Sequence, residues 1–577
     1  MRDDPAEAAY RRALALITAL VTLVGVLWAV LTPAFRAPDE PQHVNSVLRL
    51  AYGGGWPAAG EALVGPAVDA AREQAALATD VPGRHLDRGY LPPFVGVPPV
   101  PDADRVVVTG GNALADPLPP GTETRHLPTA VVDQMTQHPP LYYALAAGVL
   151  HATGTAEARW DHQLLVLRLF DVVLLLPLPL LAAAAVRRVL DARRGGRPSP
   201  GGRAAALVAA AFTLFVPQVG HILGSVTNDA LVTLSGAAIG YLCARVVTGD
   251  LRWRTAAGLG ALVGVGLLTK VMAAFAVPAV VAAYALAAGP RGRRVAGLFL
   301  AGALALAVGG WWWLRNLLVL GTVQPVGIPD RFTDGPVPTG LWYFVRTVVT
   351  GLTRSFFGNF GWLEVRLPDA VFWTAAVLVA GLCGLAVARG PARRATAVLL
   401  LQPVALWCGV VANAWPDYAE HGWISAVQGR YLFAGLLALG AGTALGLLVL
   451  LGPRLRDAVP WIVGGGGAAA AAGLAYGFRG FYQGPDDSPA DAAARWAGWS
   501  PLTWSQLVLV GAVVLVVGIA AVLAAARFSR AAPVASSSPV APGSPAGPSA
   551  RSARAAEPTT TAPATTPTSA AGTGSSS

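Results

Sequence analysis

The stretch "ALALITALVTLVGVLWAVLT" (13–32), followed by "PAFRAPDEPQHV" (33–44), decides the fold of this chain. A helix of about 20 residues is long enough to cross a hydrocarbon core of ~30 Å. Two adjacent carboxylates, Asp39 and Glu40, follow it between two prolines. The sequence therefore predicts a membrane-spanning helix that ends in an acidic pair.

The composition extends this interpretation to the whole chain of 577 residues. It is 54% hydrophobic and 13% charged, whereas soluble domains usually carry about 25% charged residues. Apolar blocks suitable for spanning fall near 13–32, 164–188, 204–222, 229–247, 255–269, 271–289, 296–319, 371–388, 395–414, 431–452, 458–477 and 504–526. We predict an all-α polytopic membrane protein, with about 12 transmembrane helices within residues 1–530.

Arginine clusters set the predicted orientation, because cytoplasmic loops of membrane proteins carry an excess of basic residues. With twelve spans every cluster falls on one side: Arg11/Arg12, Arg187–Arg203, Arg245–Arg254, Arg291–Arg294, Arg389–Arg394, Arg454/Arg456 and Arg527/Arg530. We read the first block as a retained span in the cytoplasmic (inner or plasma) membrane. Both termini are then cytoplasmic, and two large loops, about 33–163 and about 320–370, lie outside.

Three further segments differ from the apolar spans in length or composition. The block "HPPLYYALAAGVLHATG" from His138 has only about 14 apolar residues, too few to span, so we predict a juxtamembrane helix opened by two prolines. The second outer loop is rich in aromatic residues, which favours interfacial helices. The tail 531–577 consists mostly of Ala, Pro, Ser and Thr, and we expect it to be disordered in the cytoplasm.

Charge and cysteine content exclude several classes of protein. The net charge is +10, but it follows the topology, so a lipid bilayer and not a nucleic acid is the expected partner. The three cysteines lie inside apolar blocks and read as small core residues, without the spacing of a disulfide framework or a metal site. No pair of histidines has metal-ligand spacing.

Polar residues gather at the predicted outer ends of the spans, where ionisable groups are costly and usually mark function. They are Asp39, Glu40, His43, His138, Tyr142, Tyr143, Arg168, Asp171, Gln218, His221, Thr227, Asn228, Asp229, Lys270, Arg315, Asn316, Gln428 and Arg430. Simpler roles remain open for many of them. The acidic pair could be a solvated loop feature, Asn228 an N-cap and Arg430 a snorkelling cation.

Two details bear on these alternatives. Arg168 and Asp171 are three residues apart, so we expect them to pair along one helix face. Lys270 is the only lysine among 42 basic residues. A compact ammonium in a chain that otherwise uses arginine suggests a position where the broad guanidinium does not serve.

The order of the motifs resembles the GT-C superfamily of membrane glycosyltransferases. The acidic pair after span 1, "HPPLYY" (138–143), "SVTNDAL" (225–231), "GLLTK" (266–270), "WWWLRN" (311–316) and "QGRYLF" (428–433) carry the resemblance, which is closest to an uncharacterised bacterial branch of predicted membrane proteins. It implies a sugar donor carried on polyprenyl phosphate and a glycan, lipid or protein acceptor in the cell envelope.

The resemblance also implies roles for the outer residues. Asp39 is the expected general base for the acceptor hydroxyl, and Glu40 orients the acceptor or supports Asp39. Lys270, Arg315 and Arg430 are the expected phosphate-binding cations, and His43, His138, Tyr142, Asn228, Asp229 and Gln428 line the pocket. Some superfamily members bind a divalent metal at the acidic loop. This sequence has one adjacent pair directly after span 1, so we favour metal-independent inversion and expect no cofactor.

Two classes of protein remain as alternatives. A transporter or lipid flippase also has many spans, but its halves usually match and its charges lie near mid-membrane; here the halves differ and the polar set is external. A polysaccharide polymerase or ligase uses similar donors, but it usually depends on arginine-rich outer loops. The sequence leaves the sugar and the acceptor open.

Overall fold

All twelve predicted apolar blocks are helical in the structure, a computed structural model. It describes residues 5–75, 98–116, 131–193, 195, 199, 201–327, 340–424 and 426–531. Apart from its first residue, the tail 531–577 lies outside the described residues, so its expected disorder stays a prediction. Helices suit this chain because they satisfy every backbone hydrogen bond internally, as a lipid environment requires.

The described α-helices are α1 (Pro5–Leu31), α2 (Glu40–Ala51), α3 (Pro66–Gln74), α4 (Leu141–Ala152), α5 (Trp160–Leu175), α6 (Pro177–Ala192), α7 (Gly202–Ala211), α8 (Pro217–Leu223), α9 (Asp229–Val247), α10 (Trp253–Leu267), α11 (Val277–Leu286), α12 (Arg291–Ala305), α13 (Trp311–Leu320), α14 (Leu341–Phe357), α15 (Asp369–Arg389), α16 (Arg393–His421), α17 (Leu436–Leu451), α18 (Leu455–Tyr482), α19 (Pro489–Trp499) and α20 (Trp504–Arg530). Short 3-10 segments, Val271–Ala276 and Gly429–Gly435, precede α11 and α17. Strands β1 (Asn359–Phe360) and β2 (Val365–Arg366) form an antiparallel hairpin.

Among the described residues, eight segments are long and apolar enough to cross a membrane, or nine if the bent pair α7–α8 counts as one span. One of the eight, Gly429–Tyr482, contains two predicted spans. The remaining difference from twelve comes from α10 and the segment Val271–Leu286, which fall short of the required length. The all-α polytopic fold and the positions of the helices are confirmed, and length and composition alone support eight or nine of the about twelve predicted spans in the described residues.

The bend between α7 and α8 brings polar residues to the end of the bundle that carries the candidate site. The chain turns by 68° between Phe215 and Pro217. Proline lacks a backbone N–H and clashes with the preceding turn, so a straight helix cannot continue through it. The short helix α8 that follows holds Gln218 and His221, both fully buried.

Close packing of small residues aligns α9 with the segment Gly429–Gly435. A Cβ atom on Gly236 would collide with the carbonyl oxygen of Ala434, so glycine is required for this approach. The contact places the first turn of α9 and the first turn of the 3-10 segment at the same end of the bundle. That end carries the candidate site.

The described parts of the first predicted outer loop pack against the bundle through α2, α3 and α4. As predicted, a helix follows Pro140, and its 12 residues span about 18 Å, too short to cross the membrane. Its buried residues, including Tyr142 and Tyr143, pack with Val44 and Val47 of α2 in a separate apolar cluster. In the second outer loop, α14 and the β hairpin lie where interfacial helices were predicted.

Candidate functional site

Asp39 stands in an unusual backbone conformation at the start of α2. Its φ is 62°, in the left-handed region, which aspartate and asparagine tolerate better than most residues. Pro41 occupies the first turn of the helix, where proline's fixed φ suits the conformation. The turn leaves the Asp39 side chain 21% exposed, whereas Glu40 beside it is fully buried.

Four charged side chains form a row of alternating sign, which we call the charge row: Lys270, Asp229, Arg430 and Asp39. Lys270 Nζ lies 2.6 Å from Asp229 Oδ1, and Arg430 Nε lies 3.5 Å from Asp229 Oδ2. Arg430 Nη2 donates to Asp39 Oδ2 at 2.5 Å. The side chains of Lys270, Asp229 and Arg430 are at most 7% exposed, so Asp39 is the open end of the row.

Tyr431 packs against both cations of the charge row. Lys270 Nζ lies 4.9 Å and Arg430 Cζ 5.4 Å from the centre of its ring, within the range of cation–π attraction. Arg430 Nη1 also donates to the carbonyl oxygen of Pro38. Arg430 is therefore fixed in position by the segment that carries Asp39, and Lys270 by Asp229 and Tyr431.

Neutral polar groups surround the carboxylate end of the row. Gln134 Nε2 donates to Asp39 Oδ1 at 2.9 Å. His43 Nδ1 lies 3.0 Å from the hydroxyl of Tyr143, which also accepts from Asn228 Nδ2 at 3.3 Å. These contacts join the first outer loop to the start of α9.

Among the described residues, several buried polar atoms close to the row in space or in sequence have no hydrogen-bond partner. They are Gln42 Oε1, His138 Nδ1, Asn228 Oδ1 and Gln428 Oε1. Buried polar groups in folded proteins are nearly always paired, so each exception calls for an explanation. A hydroxyl-rich ligand would supply the missing donors.

The charges of the row set the protonation of its neighbours outside the spans. Burial acts to raise the pKa of the Asp39 carboxyl, but Arg430, helped by Lys270, outweighs it and holds the pKa below its ordinary value. Burial lowers the pKa of His43 to about 3; the charge of Asp39 acts to raise it, and Arg430 and Lys270 act in the same direction as burial. At neutral pH Asp39 is therefore a carboxylate and His43 a neutral imidazole.

Glu40 points away from the charge row. Arg168 binds both of its carboxylate oxygens, at 2.8 and 2.7 Å, and the backbone N–H of Val226 donates to one of them. The expected pairing of Arg168 with Asp171 is wrong. Asp171 instead accepts from the hydroxyl of Tyr142 and from the backbone N–H of Thr227, because tertiary partners displace the neighbour on the same helix.

Two of the predicted site residues lie at its edge or outside it. Gln428 precedes Arg430 as the residue before the 3-10 segment. Arg315 on α13 is exposed and donates to Asn316 Oδ1. In the described part of the chain no contact joins Arg315 to the charge row, so the structure does not bring it together with Lys270 and Arg430.

The described residues contain no group of three or more His, Cys, Asp or Glu side chains arranged to hold a metal ion. An Asp-Ala-Asp sequence (102–104) lies later in the first predicted outer loop. Its Asp102 pairs with Arg105 and Arg159. The charge row itself has two carboxylates that already hold cations.

Sequence reasoning missed Gln134, which contacts Asp39, and Arg36, whose Nη2 lies 2.9 Å from Glu364 in a buried pair. Trp362 Nε1 also donates to the carbonyl oxygen of Phe35. Gln134 stands four residues before "HPPLYY", but a single glutamine in a long loop gives no pattern that singles it out. The contact between the second outer loop and residues 35–36 had no sequence signal.

The fold and the polar end of the bundle define an all-α polytopic membrane protein. Residues 22–439 match the family of predicted membrane proteins DUF2142, and the chain belongs to this family. No curated protein matches the chain.

Among solved structures, the chain is similar to ArnT from Cupriavidus metallidurans bound to undecaprenyl phosphate, with 13% identity and a TM-score of 0.43 over 89% of this chain and 75% of that one. It is also similar to ArnT from the same organism in the apo state (15%, TM-score 0.38, 68% and 64% of the two chains). An oligosaccharyltransferase from Archaeoglobus fulgidus, in complex with Zn and sulfate, has 14% identity and a TM-score of 0.33 over 62% and 46%. These similarities are too distant to assign an activity or a site.

Proposed function

We propose that this protein is an inverting glycosyltransferase that moves a sugar from a polyprenyl-phosphate carrier to an acceptor hydroxyl at the outer face of the cytoplasmic membrane. The observation that carries the proposal is the charge row, in which the partly exposed carboxylate of Asp39 is the end of a series of buried charges that includes two cations. The arrangement offers a base for an acceptor and positive charge for a phosphate within one site.

In the proposed reaction, Asp39 takes the proton of the acceptor hydroxyl while the acceptor oxygen bonds to the anomeric carbon. The bond from that carbon to the phosphate oxygen breaks, and the electron pair leaves with the polyprenyl phosphate. The leaving group is already an anion and needs no proton. General-base catalysis of this kind contributes about 10²–10⁴-fold.

Lys270 and Arg430 are the proposed phosphate ligands. An ammonium has three donors, and Asp229 is the acceptor that Lys270 contacts at 2.6 Å. Arg430 Nε lies 3.5 Å from Asp229 Oδ2 and makes no hydrogen bond among the described residues. Fixed cations in a buried site stabilise developing negative charge more strongly than they would in water. Arg315 stays a prediction that no contact supports.

The remaining predicted residues are proposed to hold the sugar or the acceptor. The unpaired atoms of His138, Asn228 and Gln428 are suited to receive hydrogen bonds from sugar hydroxyls, with His43 close to Asp39 as a further contact. The hydroxyl of Tyr142 accepts from the backbone N–H of Thr227, so Tyr142 is proposed to position the residues before α9. Glu40 is too buried to touch an acceptor, which leaves its other predicted role, the support of Asp39 through the start of α2.

The test is transfer of label from a panel of radiolabelled polyprenyl-phosphate sugars by membranes that contain the protein. Asp39→Asn removes the base but keeps a residue that tolerates a positive φ, so the variant should insert normally and lose transfer. Asp104→Asn, at an exposed position of the same loop, is the matched control and should transfer normally. Transfer at the wild-type rate by Asp39→Asn would remove Asp39 as the base.

A further inference from the structure

A second polar site lies outside the charge row. A groove of about 440 Å3 runs between β2 and the last turns of α18. Its lining includes two exposed guanidinium groups, Arg366 and Arg479, together with Tyr476 and Gln483. None of these four residues takes part in the proposed transfer.

The fold builds this groove through a close contact between a strand and a helix. A Cβ atom on Gly480 would lie 2.5 Å from Val365 Cγ1, so glycine is needed for β2 to approach α18. Val365 precedes Arg366 and Gly480 follows Arg479, so the contact places the two arginines on the same groove. Their arrangement depends on packed elements and not on a loop alone.

Most acids near the groove in the described part of the chain already hold an arginine, and Asp486, which follows the lining residue Pro485, is exposed. Glu364, which also lines the groove, pairs with Arg36. Two nearby acids are likewise engaged, Asp369 with Arg354 at 3.1 Å and Asp487 with Arg495 at 2.6 Å.

Arg366 lies close to the positive charge of Arg354. Burial, and then the neighbouring charge of Arg354, lower the pKa of the Arg366 guanidinium, while Asp369 acts in the opposite direction. A bound anion would relieve this repulsion between cations.

The position of the groove indicates the depth at which a ligand would bind. Arg366 lies three residues before the start of α15, and Arg479 lies in the last turn of α18, and both helices belong to candidate spans. Tyr476 is 40% exposed there, as is typical of aromatic residues at a membrane–water interface. The groove therefore lies where a span meets the headgroup layer.

We infer that this groove binds the phosphate of an anionic glycerophospholipid headgroup, with Arg366 and Arg479 as its ligands. Guanidinium groups suit phosphate because two parallel N–H donors match two phosphate oxygens. This lipid site is separate from the charge row and does not depend on the proposed transfer. The hydroxyl of Tyr482, in the last turn of α18, donates to the carbonyl oxygen of Leu31. This hydrogen bond places the groove at the same end of the bundle as Asp39.

The experiment titrates the purified full chain in detergent with short-chain phosphatidylglycerol and measures affinity by thermophoresis. Each arginine near a membrane surface contributes about 1 kcal/mol to the binding of anionic lipid, so each of Arg366→Gln and Arg479→Gln should weaken binding about fivefold. The double variant should weaken it by more than tenfold. Arg346→Gln, at an exposed position on α14, is the control and should bind like the wild type.

Two further arms identify the ligand. Phosphatidylcholine of the same chain length should bind more weakly, because its headgroup has no net charge, and inorganic phosphate should not compete at the concentrations at which phosphatidylglycerol binds. Competition by inorganic phosphate would show that the groove binds a free anion and not a lipid headgroup. Equal affinity for the two lipids, or a double variant that folds with the wild-type melting temperature and binds like the wild type, would overturn the site.

Discussion

Arg430 donates to the carboxylate of Asp39 at 2.5 Å, although the two residues are 391 positions apart in the chain. The bond joins the turn after α1 to the segment before α17. Because Arg430 also lies beside Asp229, which holds Lys270, this one contact connects the acidic motif after the first helix to both of the buried cations. The proposed function depends on this connection.

Replacing Arg430 with glutamine should move the acid limb of the pH–rate profile. In the wild type Arg430 holds the pKa of Asp39 below its ordinary value, so the carboxylate stays ionised down to a pH below about 4. In Arg430→Gln burial is no longer outweighed, and the pKa of Asp39 should rise. The residual activity should therefore begin to fall at a higher pH.

The measurement for Arg430→Gln is kcat/KM for transfer across the acid range, with Arg346→Gln as the control. The control should have the same acid limb of the pH–rate profile as the wild type. If the limb of Arg430→Gln also stays in place, the group that titrates is not Asp39.

Lys270→Met should lower both the stability and the affinity for the donor. It leaves Asp229 buried with a weaker partner, and loss of one member of a buried ion pair typically costs about 3–5 kcal/mol. The double variant Asp229→Asn with Lys270→Met removes both charges and should recover much of the melting temperature. It should keep a raised KM for the donor with a smaller change in KM for the acceptor.

The double variant separates the structural role of Lys270 from phosphate binding. A double variant with the wild-type donor KM would assign Lys270 to stability alone. Lys270→Arg is the conservative comparison, and we expect it to retain less donor affinity than the wild type because a guanidinium is broader than an ammonium.

Glu40→Gln should destabilise the protein more than it alters the titration of the base. Glu40 is fully buried and binds Arg168, itself 4% exposed, so the substitution leaves a buried guanidinium with a neutral partner. We expect a lower melting temperature, a reduced kcat and an unchanged acid limb. Glu157→Gln, at an exposed position of the first outer loop, should melt like the wild type, and an equal melting temperature for Glu40→Gln would contradict this role.

The sequence predicted the helices well because apolar length is a local property. The block 229–247 coincides with α9, and the block 371–388 lies within Asp369–Arg389. The number of spans was harder to predict because length decides whether a helix crosses. The 15 residues of α10 are shorter than the usual requirement.

The site was predicted as a set of residues at one end, but the pairs within it were not. Arg168 and Asp171 are neighbours on one helix face, and yet Arg168 binds Glu40 and Asp171 binds Tyr142. Spacing along a helix shows which side chains are able to meet, whereas burial among several partners decides which of them do. Gln134 had no distinguishing signal because a single glutamine in a long loop carries no pattern.

The charge row also constrains how a turnover would proceed electrically. Without a ligand, its two positive and two negative members cancel. In the proposed reaction the donor arrives as a monoanionic phosphodiester and departs as a phosphate monoester with a charge near −2. Protonation of Asp39 removes one negative charge in the same step in which the departing phosphate gains one, so the net charge of the site is the same before and after. Arg430 then has one fewer carboxylate to bind when the product phosphate forms, and it is able to bind that phosphate instead.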